Sequence, residues 1–163
     1  MESRRFKEIF DLYYEKVRSF AYYKTGNLSL SEDIVQDTFM KLWEKRENIN
    51  EATVKPLVYV MAENSIKNHF KHKKAEFNFV LKTQFPGISE PADFRLEQEE
   101  FNRFLNLTLA EIPEKNRVVF LMNRIDKLTY SEIAACLDVS VKTIEKRMAE
   151  ALEIIRKRIR YKI

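Results

Sequence analysis

Only two glycines, Gly26 and Gly87, and four prolines interrupt 163 residues. Hairpins and tight turns depend on glycine, proline and their few substitutes, so a sheet-rich fold would need far more of them. The chain is therefore expected to be all-α. Hydrophobic residues make up 45% and aromatic residues 12%, enough to bury a core, and the 33% that are charged alternate with apolar positions rather than forming a disordered tract. A chain of this length holds one ordinary domain or two small ones.

Apolar residues recur at steps of three and four from residue 4 to 24: Phe6, Ile9, Phe10, Tyr13, Tyr14, Val17, Phe20 and Ala21. That spacing predicts an amphipathic helix, stopped by Gly26 and Asn27. In "SLSEDIVQDTFMKLWEKRENI" Ser29 and Glu32 have the spacing of a capping box, ahead of a stripe of Ile34, Val35, Phe39, Leu42 and Trp43. Pro56 suits the first turn of a third helix with Leu57, Val60, Met61, Asn64, Ile66 and Phe70 along it. These three helices define a first domain, residues 1–75.

Periodicity fades after this point, Pro86, Gly87 and Pro91 appear, and the charge turns from basic to acidic, so residues 76–98 read as a linker. Its phenylalanines, Phe77, Phe79, Phe85 and Phe94, are unusual for a plain tether. Residues 99–163 form a second domain. There Pro113 opens a helix bearing Val118, Val119, Leu121, Met122 and Ile125, and Thr129 with Glu132 makes a capping box for a short helix that buries Ile133, Ala134 and Leu137. Asp138, Val139 and Ser140 connect it to a last helix, capped by Ser140, with Val141, Ile144, Met148, Leu152 and Ile155 as its apolar stripe.

Two short helices joined by three residues are a helix-turn-helix. Asp138 stands where many such turns carry glycine, and aspartate tolerates the left-handed conformation better than most residues. Ser140, Lys142, Thr143, Glu145, Lys146 and Arg147 lie at or beyond the turn, as side chains able to meet base edges or phosphates in a major groove. From Ser140 onward there are eight Lys or Arg against three Glu, so a modest net charge of +4 is concentrated at this end.

Two further stretches carry unusual chemistry. Asp33, Gln36, Asp37, Met40 and Glu44 line up on the non-core side of the second helix. Such a stripe is either a solvated face or a surface for a basic protein. "AENSIKNHFKHKK" sets Asn64 and Asn68 on one helix face beside Lys67, Lys71, Lys73 and Lys74. Amides offer a donor and an acceptor to a base edge, and lysines neutralise phosphates. Tyr59 and Phe70 are either core residues or stacking platforms.

"EDIVQDTFMKLWEK" resembles the core-polymerase-binding segment of the sigma-70 family, in its extracytoplasmic-function (ECF) group. "IPEKNRVVF", "LTYSEIA" and "VSVKTIEKR" are similar to the motifs of that group's second domain, and the resemblance runs from about Phe6 to Arg158 with the linker unmatched. It implies a sigma region 2-like bundle and a region 4-like helix-turn-helix. It implies that Asp33, Gln36, Asp37, Met40 and Trp43 bind core RNA polymerase, that Asn64, Lys67, Asn68, Lys71, Lys73 and Lys74 bind and help melt the minus-ten promoter element, and that Ser140, Lys142, Thr143, Glu145, Lys146 and Arg147 read the minus-thirty-five element. Promoter DNA and an anti-sigma factor are the further partners implied. The sequence departs from the family in "SLSEDIVQ", where Ser31 replaces an alanine.

No phosphate-cradling glycine loop, nucleophile triad or metal-ligand cluster is apparent, so neither enzyme activity nor a cofactor is expected. His69 and His72 lack a cysteine or acidic partner close in sequence. The single cysteine, Cys136, cannot form an internal disulfide and is expected in the core, with redox sensing as the lesser option. With no leader-like start and no run of about 18 apolar residues, a cytoplasmic protein without membrane insertion is the expectation. The competing function is a stand-alone helix-turn-helix regulator, which leaves the acidic stripe and the Asn64 region without a task.

Overall fold

A computed structural model describes residues 2–71 and 92–160, with backbone alone for 51 and 92–98. The described residues form seven α-helices and two single-turn 3-10 segments, with no strand among them. The helices are α1 (Ser3–Thr25), α2 (Leu28–Glu44), α3 (Val54–Phe70), α4 (Ala92–Glu111), α5 (Glu114–Arg124), α6 (Tyr130–Leu137) and α7 (Val141–Arg160). Residues 76–91 of the stretch read as a linker lie outside the described residues; α4 begins at Ala92.

Local chemistry sets the helix ends. Gly26 takes φ 65°, the left-handed conformation that ends α1, and its N–H bonds the Tyr22 carbonyl at 2.7 Å. The next helix starts at once, because Asn27 rather than Ser29 is its cap: the Asn27 side-chain oxygen accepts from the Leu30 N–H at 3.0 Å. With the cap two residues earlier, Ser29 and Glu32 fall inside α2 and form no capping box, and Glu32 lies 3.7 Å from Arg18 instead. Pro113 precedes α5, and its carbonyl accepts the N–H groups of both Asn116 and Arg117. The Thr129 and Glu132 capping box is present in full. Asp138 adopts φ 52°, turning the chain between α6 and α7, and the Ser140 hydroxyl accepts from the Thr143 N–H at 3.1 Å.

Helices α1, α2 and α3 pack mutually around Val17, Phe20, Val35, Leu42 and Val58, all fully buried. The buried face of α3 differs from the expected stripe. Val58, Tyr59, Ala62, Ser65 and Ile66 are inside, while Val60 is 45% exposed. Small Ala62 and Ser65 suit close neighbours, and α3 is pressed by α1, α2 and α6 at once, so no single sequence stripe describes its burial. Tyr59 is a core residue, whereas Phe70 is partly exposed.

In the second half α5, α6 and α7 close around Val119, Met122, Ile133, Ile144 and Met148, and α4 lies against α7. Cys136 is buried as expected, and burial pushes its thiol pKa up, away from reactivity. Ile125, expected on the helix that Pro113 opens, lies just past it and is 44% exposed, because α5 ends at Arg124 and the chain turns away there through left-handed Lys127.

The two halves also meet: α1 packs on α5, and α3 on α6.

Candidate polymerase and promoter surfaces

The acidic stripe is on the surface. Asp33, Gln36, Met40 and Glu44 are exposed, Met40 to 58%, while Ile34, Val35, Thr38, Phe39 and Leu42 turn inward. Asp37 differs from its neighbours in being held. Its Oδ2 accepts hydrogen bonds from Lys41 Nζ at 2.5 Å and from Ser65 Oγ on α3 at 2.6 Å. Partial burial pushes the Asp37 pKa up, but the bonds from Lys41 and Ser65 outweigh it and hold the carboxyl below its usual range.

Beside the stripe runs an open groove of about 470 Å³ lined by Phe6, Phe10 and Tyr14 of α1 and by Gln36, Phe39, Met40 and Trp43 of α2. Trp43 is half-buried, edge-on to Phe6 with centroids 4.8 Å apart and with the Arg46 guanidinium 4.4 Å from its ring. Sequence periodicity shows the α1 aromatics as the apolar side of an amphipathic helix and does not reveal the groove, because a residue bordering a groove has the same spacing as one sealed inside it.

Asn64, Lys67 and Asn68 are exposed on the last turns of α3, and Lys71 is exposed just past its end. Lys67 lies 3.4 Å from Glu63. Lys73, Lys74 and His72 lie outside the described residues. On α7 the structure exposes Lys142, Glu145 and Lys146, and half-buries Thr143 and Arg147, around a fully buried Ile144. Ser140 is tied up as the cap, 2.8 Å from the Thr143 hydroxyl. The first two turns of α7 thus present a mostly cationic face next to a rigid, doubly capped turn.

Sequence reasoning missed the groups that join the halves. The Tyr23 hydroxyl donates to Asp126 at 2.7 Å, and Lys24 bridges Glu63 of α3 and Glu114 of α5. The buried Arg117 guanidinium donates to the carbonyls of Tyr23 and Lys24 at the end of α1 and to those of Leu109 and Ile112 near the end of α4. Burial lowers the Arg117 pKa to about 10, so it stays charged at neutral pH. Between the halves lies a cavity of about 280 Å³, and Asn64 and Lys67 from one side and Lys115 and Arg147 from the other all border it.

Among the described residues no cluster of His, Cys, Asp and Glu is arranged to hold a metal, and no helix is long and apolar enough to cross a membrane.

Residues 9–76 match the family described as Sigma-70 region 2, and residues 105–155 the one described as Sigma-70, region 4. The chain is 22% identical to the ECF RNA polymerase sigma factor SigW of Bacillus subtilis, over 95% of this chain and 89% of the relative. It is 26% identical to the ferric citrate uptake sigma factor FecI of Escherichia coli, over 93% and 88%. Its fold is similar to that of the sigma factor RpoE of Bartonella quintana, solved in complex with the anti-sigma factor NepR, with a TM-score of 0.66 at 17% identity over 96% of this chain and 98% of that one. Two family matches in the order of the two helical units, over most of the chain, lead to one conclusion: the chain belongs to the sigma-70 family, as a sigma factor of the extracytoplasmic-function group.

Proposed function

We propose that the protein is a dissociable specificity subunit that docks on core RNA polymerase through α2, melts the minus-ten element with α3 and reads the minus-thirty-five element with α7. The observation that carries this reading is the segregation of charge: an exposed acidic row with Met40 on α2, and exposed cations at the end of α3 (Lys67 and, just past it, Lys71) and on the first turns of α7. An acidic row repels DNA and suits a basic protein surface, and the cationic faces do the reverse.

On this reading Asp33, Gln36, Asp37, Met40 and Trp43 contact polymerase, and the groove wall of Phe6, Phe10 and Tyr14 extends that contact. Asn64 and Asn68 hold bases of the opened strand, where pocket contacts must offset a few kcal/mol of unstacking. Lys67, Lys71, Lys73 and Lys74 neutralise its phosphates. Lys142, Lys146 and Arg147 meet the upstream element, with Thr143 and Glu145 able to touch base edges. The functional units are residues 1–75 and 99–163, linked by 76–98. The protein performs no chemistry of its own, uses no cofactor, and works in the cytoplasm. An anti-sigma factor is a further partner, in line with the complex in which the similar RpoE was solved.

The two promoter elements are centred some 25 base pairs apart, about 85 Å of duplex at 3.4 Å per pair. Asn64 and Arg147 border one cavity of about 280 Å³. Both elements are therefore reached only once the halves part, which gives polymerase docking a second task beyond recruitment.

Run-off transcription on genomic fragments, with purified core polymerase and with or without the protein, tests the reading. Transcripts from specific promoters that need the added protein support it. DNA binding in the absence of core, with no new transcript, supports the stand-alone regulator instead.

A further inference from the structure

We infer that Ser65 is a positioning residue that relays occupancy of Asp37 on the polymerase face to the amide-bearing face of α3, with Lys41 as the internal competitor for the same carboxylate. The inference rests on the proposed polymerase contact at Asp37 and deepens it.

Three observations carry it. Within the exposed row of α2, Asp37 is the member hydrogen-bonded to another helix; Asp33, Gln36, Met40 and Glu44 have no such bond among the described residues. Ser65 is only 9% exposed, and its hydroxyl donates to Asp37 Oδ2 at 2.6 Å. Lys41 Nζ is 2.5 Å from that same oxygen and 3.5 Å from Ser65 Oγ, so the three groups form one cluster. The Asp37 side chain is 35% exposed, hence open to a partner from outside.

The consequence follows from the acceptor capacity of a carboxylate. Both internal donors use Oδ2. A guanidinium from a docking protein engages both oxygens of a carboxylate in parallel, which sets it in direct competition with Lys41 and Ser65 for Oδ2. Lys41, with its side chain 42% exposed, swings into solvent at little cost. Ser65 has less freedom: at 9% exposure its hydroxyl does not reach open solvent, and to keep its bond to an Asp37 drawn toward a partner, α3 itself must follow. Asn64 precedes Ser65 and Asn68 lies three residues on, so a small rotation of α3 there moves both amides together. Binding at one face thereby alters strand capture at the other, and linkage requires the reverse effect to be equal.

The test uses the full chain, purified core polymerase and a fluorescein-labelled single strand carrying the non-template minus-ten segment of a promoter mapped by run-off transcription. Core affinity and single-strand affinity with and without core are measured for the wild type, Ser65→Ala and Ser65→Thr, with thermal midpoints as the check on folding. Ser65→Ala is expected to bind core within about twofold of wild type and to lose about five- to tenfold of the core-induced gain in strand affinity, the scale of one hydrogen bond. Ser65→Thr, which keeps the hydroxyl, is expected to restore most of that gain. A full gain in Ser65→Ala, or none in a folded Ser65→Thr, overturns the relay.

Lys41→Met gives an independent reading should Ser65→Ala fold poorly. Removal of the competitor is expected to tighten core binding about two- to fivefold, and weaker core binding overturns the competition. Asp37→Arg tests the underlying contact alone: undiminished core binding there refutes the polymerase role of Asp37, whatever the Ser65 variants do to strand affinity.

Discussion

The Tyr23 hydroxyl at the end of α1 donates a 2.7 Å hydrogen bond to Asp126, 103 residues later in the connection between α5 and α6. Around it, Arg117 gathers carbonyls from α1 and α4, and Lys24 spans Glu63 and Glu114. A partly buried polar cluster of this kind holds two surfaces together while every group is matched, and costs stability once one of its buried members is removed.

Burial raises the Asp126 pKa, against the lowering effect of the Tyr23 bond and of Lys16. A carboxyl whose folded pKa lies above its unfolded value stabilises the packed form fully below the unfolded value of about 4, and that contribution is lost as pH rises through the folded value. The halves are therefore expected to separate more readily toward neutral pH than in mild acid. Resonance energy transfer between dyes placed on α2 and on α7 should show this trend, and Asp126→Asn should flatten it.

Asp37→Arg is expected to abolish co-purification with core polymerase while leaving the fold intact. It removes the Lys41 pair, more than a third exposed on both sides and worth less than about 1 kcal/mol, and the Ser65 hydrogen bond, worth about 1 kcal/mol, together a shift of several degrees in thermal midpoint for a chain of this size. Pull-down with core, read beside a melting curve, separates the two effects.

Asn64→Ala is expected to slow promoter opening about tenfold, with closed-complex formation changed by less than twofold. One hydrogen-bonded base contact of ~1.4 kcal/mol accounts for that factor. Gel shift at low temperature and permanganate reactivity of the opened strand report the two steps, and equal loss in both would count against base capture.

Ile144 and Lys146, two residues apart on α7, are expected to fail in different ways. Ile144 is fully buried, so Ile144→Ala should cost ~2–5 kcal/mol and loosen the whole helix-turn-helix. Lys146 is exposed, so Lys146→Ala should leave stability within about 0.5 kcal/mol and reduce the salt dependence of DNA binding by about one unit of slope. Chemical denaturation and a salt titration of duplex affinity distinguish them.

Whatever depends on neighbours a few residues apart was legible in the amino-acid order. Scarce glycine and proline pointed to an all-helical chain, and the Thr129 and Glu132 box, the left-handed Asp138 and the Ser140 cap were all correctly anticipated. The error at Ser29 is of the same local kind: Asn27 is also a strong cap, and two candidates two residues apart differ too little in energy for spacing to choose between them. The buried face of α3 was misjudged for another reason. Three helices press on it, and a periodic stripe describes burial against one surface only.

Tertiary structure alone decided which distant groups meet. Lys41 as a partner of Asp37 is implicit in a four-residue step along a helix, but Ser65 stands 28 residues away, and Tyr23 meets Asp126 and Arg117 across 103 and 94 residues. Such pairings depend on how helices cross and which side chains remain after the apolar faces are buried, information that belongs to the whole packed core and to no single segment of it.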